Sequence, residues 1–292
     1  MKNIAFLGLG IMGSNIASHI VKRYGKITIF NRNIKKSHEF KKKHKKFEVI
    51  IVNEPKEIIL ENQIFISCVG NDSSLREIFF SKKGLFQKIK ENSFVIDHTT
   101  VSSHTAISCF EKFKSKKSFF LDAPVSGGEI GAKEGKLSIM VGGDRKKLKE
   151  IEEVIGLYAK SITYMGKSGN GQLAKMVNQI CVSGVLQGLA EGLNFARLVG
   201  LDYEKLFSAI KNGAAQSWQM DNRSKTMWND KFEFGFMNKW MKKDLNIAIN
   251  VAKKTGVKLD NTKKILKNYE KLIKLGYKNF DTSSLIKLLN EN

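Results

Sequence analysis

Ile4-Ala5-Phe6-Leu7-Gly8-Leu9-Gly10-Ile11-Met12-Gly13 decides the reading of this chain. A short apolar run ending on glycine reads as a buried strand, and the apolar residues beyond the glycines resume at helical spacing. Gly8, Gly10 and Gly13 stand in G-x-G-x-x-G order. In that order the first glycine permits a tight turn, the second lets backbone approach a pyrophosphate, and the third lets helix and strand pack closely. The helix start supplies N–H groups and positive potential. The loop, with Leu9, Ile11 and Met12 between its glycines, therefore predicts a dinucleotide cradle. A glycine triplet alone is weak evidence. Context strengthens it, because a second apolar run, Ile27–Phe30, ends about 20 residues further on, where an adenine ribose belongs. Asn31 and Arg32 stand there, with no acid to hold free ribose hydroxyls. Arg32 can instead meet a 2′-phosphate, and Lys35 and Lys36 add positive charge. The expected cofactor is NADP, with NAD possible; the plainer reading of Arg32 is a solvated loop residue.

Working outward, the first half alternates short apolar runs with helical stretches. Strands are expected at Asn3–Leu7, Ile27–Phe30, Ile64–Cys68, Phe94–Asp97, Phe119–Asp122 and Leu137–Val141, with a last one near Ile162–Tyr164. This is the pattern of an α/β, Rossmann-type doubly wound parallel sheet. After Met165 the character changes. Residues 170–199 carry Leu173, Met176, Val177, Ile180, Leu186 and Leu189 in helical register, with Gly184, Gly188 and Gly192 four residues apart. That predicts a long, buried central helix approached closely by another. Further helices are expected around Tyr203–Asn212, Met237–Thr255 and Asn261–Leu275, and no proline after Pro124 interrupts them. The expected organisation is a dinucleotide-binding domain over residues 1–165 and an all-helical domain over 166–292, joined by the long helix.

Composition narrows the function classes. No apolar run reaches the roughly 18–20 residues a membrane span needs, and the N-terminal segment reads as a strand rather than a signal peptide. Cys68, Cys109 and Cys181 are scattered, and the five histidines show no ligand spacing. Neither a disulfide framework nor a metal site is expected, and a reducing cytoplasm is. The formal net charge of +22 is the outlier. It is mostly lysine, and base-edge and bidentate phosphate recognition favour arginine, so nucleic acid is not the expected partner. The densest run, Lys41-Lys42-Lys43-His44-Lys45-Lys46, falls between the expected elements and reads as a loop.

Two further stretches carry chemistry. Ser126-Gly127-Gly128 follows Pro124 and a strand. Its glycines leave N–H groups unshielded and Ser126 adds a hydroxyl, which suits a carboxylate as well as it suits a structural turn. In Gly169-Asn170-Gly171-Gln172-Leu173-Ala174-Lys175-Met176-Val177-Asn178, Lys175 and Asn178 are three apart and share a helix face. An ammonium that loses hydration there gives up its proton more readily.

With the glycine loop, Asp122–Gly128, Gly169–Asn178 and Lys243-Asp244-Leu245 in this order, the chain resembles the β-hydroxyacid dehydrogenase family over nearly its whole length. That family includes 3-hydroxyisobutyrate dehydrogenases and 2-hydroxy-3-oxopropionate and glyoxylate/succinic semialdehyde reductases. The resemblance implies NAD(P)-dependent interconversion of a short β-hydroxy acid and its semialdehyde. Lys175 would be general acid/base, Asn178 would orient the reacting oxygen, and Ser126, Gly127 and Gly128 would hold the substrate carboxylate. The resemblance also implies cofactor contacts at Val69, Gly70, Ser74, Thr100 and Lys243, and a homodimer or homotetramer. Alternatives are an NAD-using 3-hydroxyisobutyrate or serine dehydrogenase and a dinucleotide-dependent sensor or nucleic-acid-binding module. Imine reductases share the architecture but generally replace the lysine. Where a small or apolar residue is expected the chain has His98, which is expected to alter the nicotinamide-side pocket.

Overall fold

The computed structural model describes residues 3–59 and 63–289. Contacts divide the chain into two compact units, one running to Lys175 and one starting at Met176.

In the first unit β1 (Ile4–Leu7), β2 (Lys26–Phe30), β3 (Glu48–Ile51), β4 (Ile64–Ser67), β5 (Phe94–Asp97) and β6 (Phe119–Asp122) lie parallel in the order β3-β2-β1-β4-β5-β6. Helices cover both faces, so inner strands are mostly apolar, with Thr28, Ser67, Asp97 and Asp122 the buried polar exceptions. Ile4, Phe6, Ile64, Ile66 and Leu121 pack on one side with α1 (Ile11–Tyr24) and α6 (Arg145–Gly156). Ala5, Leu7, Phe65, Val95 and Phe120 pack on the other with α3 (Asp72–Phe80) and α4 (Ser103–Ser115). β6 continues past Pro124 as β7 (Val125–Ser126), and both run antiparallel to β8 (Leu137–Gly142) in one register. The break is local, because proline has no N–H for the ladder. β9 (Ala159–Gly166) pairs parallel with β8 on its other edge.

Several elements escape the sequence reading. α2 (Ile34–Lys43) buries only Ser37 and Phe40, and the edge strand β3 is half exposed, so neither shows a full periodic stripe. Lys41–Lys43 therefore close a helix rather than lying in a loop; His44 is its C-cap and the chain turns into β3 by Glu48. The short α5 (Gly128–Glu134) follows β7, and Glu129 pairs with Lys133 along it at 2.7 Å.

The second unit holds most of α7 (Asn170–Leu198), then α8 (Tyr203–Ile210), α9 (Trp218–Trp228), α10 (Asn238–Thr255), α11 (Asp260–Lys274) and a closing 3₁₀ segment, Thr282–Leu289. Leu186, Ala190 and Leu193 of α7 pack with Met241, Leu245, Ile265, Tyr269 and Leu272. α9, which buries only Met220, Ser224 and Met227, was not expected as a helix. The central helix, expected to be buried, is covered in this chain along one face only. Gly184, Gly188 and Gly192 are exposed, and a Cβ on any of them would meet nothing within 4 Å. Val177 is 61% exposed, Phe195 65% and Leu198 73%. Only the face carrying positions 186, 190 and 193 is covered in the chain's own core. Among the described residues no helix is long and apolar enough to cross a membrane.

Candidate functional site

The glycine loop is built as its spacing predicts, with each glycine doing a different task. Gly8 leaves β1 at φ 102°, in the left-handed region, and a Cβ there would collide with the carbonyl of Cys68. A Cβ on Gly13 would collide with the Gly8 carbonyl. Gly10 differs. It has φ −72°, it is exposed, and a Cβ on it would meet nothing within 4 Å. It is also the N-cap of α1 and supplies no side-chain cap. The chain therefore leaves clear the space beside Gly10 at the start of α1, as a pyrophosphate cradle requires.

The loop is braced from the end of β2. Asn31 Oδ1 accepts from the Leu9 N–H at 2.8 Å, and Asn31 Nδ2 donates to the Asn33 carbonyl. Asn31 thus shapes the cradle, leaving Arg32 as the group beyond it, with a side chain 80% exposed and 3.9 Å from Glu77. Asn33 caps α2 through the Lys35 N–H, and no acidic residue stands in that helix's first turn.

At the end of β4 the Val69 N–H donates to Thr99 Oγ at 3.0 Å, Gly70 is half-buried, and the Ser74 N–H is taken by the Asn71 cap of α3. Thr99 Oγ in turn donates to Asp97 Oδ1 at 2.6 Å, as does Ser67 Oγ at 2.7 Å. Burial pushes the Asp97 carboxyl up to about 7 against these donors, and the neighbouring Asp122 adds to the rise. Thr100 lies half-buried just beyond. His98 is a core residue. Its ring lies in the core, with Nδ1 2.6 Å from the Ala123 carbonyl and Nε2 2.9 Å from the Tyr158 hydroxyl. Burial pushes it down to about 4, so it is neutral at pH 7, donating from Nδ1 and accepting from Tyr158. It is 2% exposed and packs the sheet.

Asp122, at the end of β6, organises the start of α7. Its Oδ1 accepts from the Gly169 N–H at 2.8 Å and Ser168 Oγ at 3.1 Å, and its Oδ2 accepts from the Gln172 N–H at 3.1 Å. It does for α7 what an N-cap side chain does locally, from 47 residues away. Burial nevertheless holds its carboxyl above the usual range. The fit is tight: a Cβ on Gly171 would lie 2.7 Å from the Asp122 carbonyl oxygen, and one on Gly142 2.7 Å from Oδ1. Gln172, fully buried, accepts from the Val101 N–H and donates to the Thr99 carbonyl. One turn on is Lys175, buried to 7% exposure. Asp122, Gln172 and Thr99 were given no role from the sequence, although an aspartate ending each of two adjacent apolar strands was a visible signal.

In the loop after β7, Gly127 has φ 129° and Gly128 φ 62°, which turns the chain sharply beside the half-buried Ser126. A Cβ on Gly128 would meet nothing within 4 Å.

The second unit holds a polar chain of its own. Asn178 Nδ2 donates to Gln179 Oε1 at 2.9 Å, and Gln179 Nε2 donates to the buried Asp244 Oδ2 at 2.6 Å. Lys243 Nζ lies 3.1 Å from Asp244 Oδ1. Two residues expected to act, Asn178 and Lys243, are thereby linked through Gln179 and Asp244, to which no role was given. Among the described residues no group of three His, Cys, Asp or Glu side chains is arranged to hold a metal.

Two family models together match nearly the whole chain. The NAD binding domain of 6-phosphogluconate dehydrogenase matches residues 3–166, and the NAD-binding domain of NADP-dependent 3-hydroxyisobutyrate dehydrogenase matches residues 169–289. The chain is 40% identical to an uncharacterized oxidoreductase of Shewanella frigidimarina, covering 100% of this chain and 99% of the relative. It is 33% identical to a probable 3-hydroxyisobutyrate dehydrogenase-like 1 protein of Arabidopsis thaliana, over 88% of this chain and 75% of the relative. Among solved structures, the 3-hydroxyisobutyrate dehydrogenase of Mycobacterium tuberculosis with L-serine superposes at TM-score 0.87, with 26% identity and 99% of each chain covered.

Proposed function

Since the chain belongs to the β-hydroxyacid dehydrogenase family of NAD(P)-dependent oxidoreductases, we propose that Lys175 is the general acid/base of the reaction and NADP the preferred cofactor. We place Ser126–Gly128 at the carboxylate of a short β-hydroxy acid or semialdehyde. The nicotinamide, when bound, supplies or accepts the hydride. In the reducing direction Lys175 gives its proton to the carbonyl oxygen; in the oxidising direction it takes the hydroxyl proton. Asn178, held by Gln179, orients the oxygen or the lysine, and Lys243 keeps a cation near the cofactor.

The observation that carries this reading is the burial of Lys175 one turn beyond a helix start fixed by Asp122 and Gln172. A surface lysine on this lysine-rich chain would be solvated and unpositioned; this one is held where water is scarce. The preference for NADP rests on the β2 end. Arg32 is exposed there and Lys35 and Lys36 stand in the first turn of α2, against the positive end of its dipole. A bound 2′-phosphate offsets that arrangement. The apolar outer face of α7 supports a homo-oligomer, and three cysteines without a disulfide fit a cytoplasmic setting.

Kinetics test the reading directly. The protein is expected to oxidise NADPH faster than NADH with at least one of tartronate, succinic or methylmalonate semialdehyde, or to run the reverse reaction on 3-hydroxyisobutyrate or L-serine. Lys175→Ala is expected to lower kcat by about 10²–10⁴-fold while cofactor affinity holds. Wild-type turnover surviving in that variant overturns the assignment of Lys175.

A further inference from the structure

The charge excess has a focus. A cavity of about 390 Å³ opens in the first unit, of a size that accepts small molecules. Lys22 of α1, Lys43 at the end of α2, Lys45 and Lys46 in the turn before β3, and Lys133 of α5 converge on it. No carboxylate lines it. Of these lysines only Lys133 has an ion pair among the described residues, to Glu129. Residues remote in sequence meet here because the walls are built. His19 Nε2 lies 2.9 Å from the Ala132 carbonyl and ties α5 to α1; the His44 ring stacks on Phe40 at 4.2 Å with Nδ1 on the Phe40 carbonyl.

Two simpler accounts fall short. Lysines at helix C-termini answer the helix dipole, and α1 and α2 both end here. Each helix end amounts to about half a negative charge, so two ends balance roughly one of the four lysines without an ion pair. Nor does the cavity belong to the dinucleotide cradle. Lys22 is about 18 Å along α1 from Gly10, at about 1.5 Å per residue, and Lys43 closes α2 at the end away from Arg32. Burial holds His44 below its ordinary range, and the charges of Lys43 and Lys22 push it further down. The lysine field is thus felt inside the wall.

We propose that this cavity binds a compact anion carrying several phosphate groups, at a site separate from the cofactor's. Like charges crowded without counter-charges repel one another, and a multiply charged phosphate chain relieves several of them at once. A half-open cavity of this size suits a small polyphosphate better than a nucleic-acid backbone, which needs an extended groove with stacking aromatics; Phe47 is the only aromatic side chain lining it besides the histidine rings.

The test titrates the whole protein with inorganic tripolyphosphate, with orthophosphate as a comparison, at low and moderate salt. Tripolyphosphate is expected to bind far more tightly than orthophosphate, to weaken with salt, and to leave NADPH affinity unchanged. The variant Lys22→Gln/Lys43→Gln/Lys45→Gln/Lys46→Gln is expected to lose at least about tenfold in affinity while keeping wild-type NADPH-dependent turnover. A control neutralising the exposed Lys253, Lys254, Lys258 and Lys264 is expected to bind like wild type. Competition between tripolyphosphate and NADPH, equal losses in both variants, or undiminished binding in the first would overturn the proposal. A short single-stranded RNA that binds through these lysines and resists displacement by tripolyphosphate would overturn it too, in favour of a nucleic acid.

Discussion

Two helices of this chain begin in glycine-bearing loops, and their first turns are treated in opposite ways. At α1 the protein supplies no side-chain cap, and the central glycine opens onto unfilled space. At α7 a buried carboxylate from β6 occupies the same chemical position that an external anion would take. Both loops satisfy the same requirement, an acceptor for the orphan N–H groups of a helix start. One leaves it to a ligand and the other meets it internally. The useful distinction is what each missing Cβ would have touched: nothing at Gly10, and the Asp122 main chain at Gly171. An open helix start is a binding feature, whereas a closed one is an anchor, here for the segment leading to Lys175.

Removing the closed side's acceptor is the harshest way to break this comparison. Asp122→Ala leaves the Gly169 and Gln172 N–H groups without an acceptor in a buried setting, and Ser168 Oγ with only its long contact to the Ala106 carbonyl at 3.4 Å. At about 1–3 kcal/mol for each buried group left unpaired, partly relieved by water entering, a net loss of about 3–5 kcal/mol is expected. Thermal unfolding should show a midpoint lower by about 10 °C, and turnover should fall as Lys175 loses its fixed helix start. Asp122→Asn retains one acceptor oxygen and should fall between the two. An Asp122→Ala protein with wild-type melting and turnover would deny the anchor.

How legible this was in the sequence depended on where each residue finds its partners. The inner strands declared themselves because burial on both faces makes them nearly continuous apolar runs, from Ile4–Leu7 to Phe119–Asp122, broken mainly at their C-terminal ends. α2 and β3 did not, since at the sheet edge only Ser37, Phe40 and Val49 are covered. Asp122 and Gln172 bond to groups tens of residues away, and no local pattern encodes that. The α7 glycines suggested an approaching helix by spacing alone, yet in this chain they face outward. Spacing shows which residues share a face; contacts decide what covers it.

On the open side a smaller and more selective effect is expected. Gly10→Val places a branched side chain where the chain itself offers no obstruction, so folding should survive with melting near wild type. Cofactor affinity should fall by about 10–100-fold, about 1.4–2.7 kcal/mol, because the side chain occupies space the pyrophosphate needs. Equilibrium titration with NADPH checks it. If unfolding and cofactor loss come together, Gly10 serves packing and the contrast between the two loops disappears.

The finest test asks which dinucleotide the open side receives. Arg32 Nη1 is 3.9 Å from Glu77 in an exposed setting, where such a pair contributes little and leaves the guanidinium available. A 2′-phosphate offers it short, charge-assisted hydrogen bonds instead. Arg32→Gln should therefore lower kcat/KM for NADPH by about tenfold, or about 1.4 kcal/mol, and change that for NADH by less than about twofold. The NADPH effect should shrink as salt rises, because the interaction is solvent-screened. Equal losses with both cofactors would make Arg32 a general support of the loop. No loss with either would return it to the solvated surface, and the preference would then have to come from Lys35 and Lys36 in the first turn of α2.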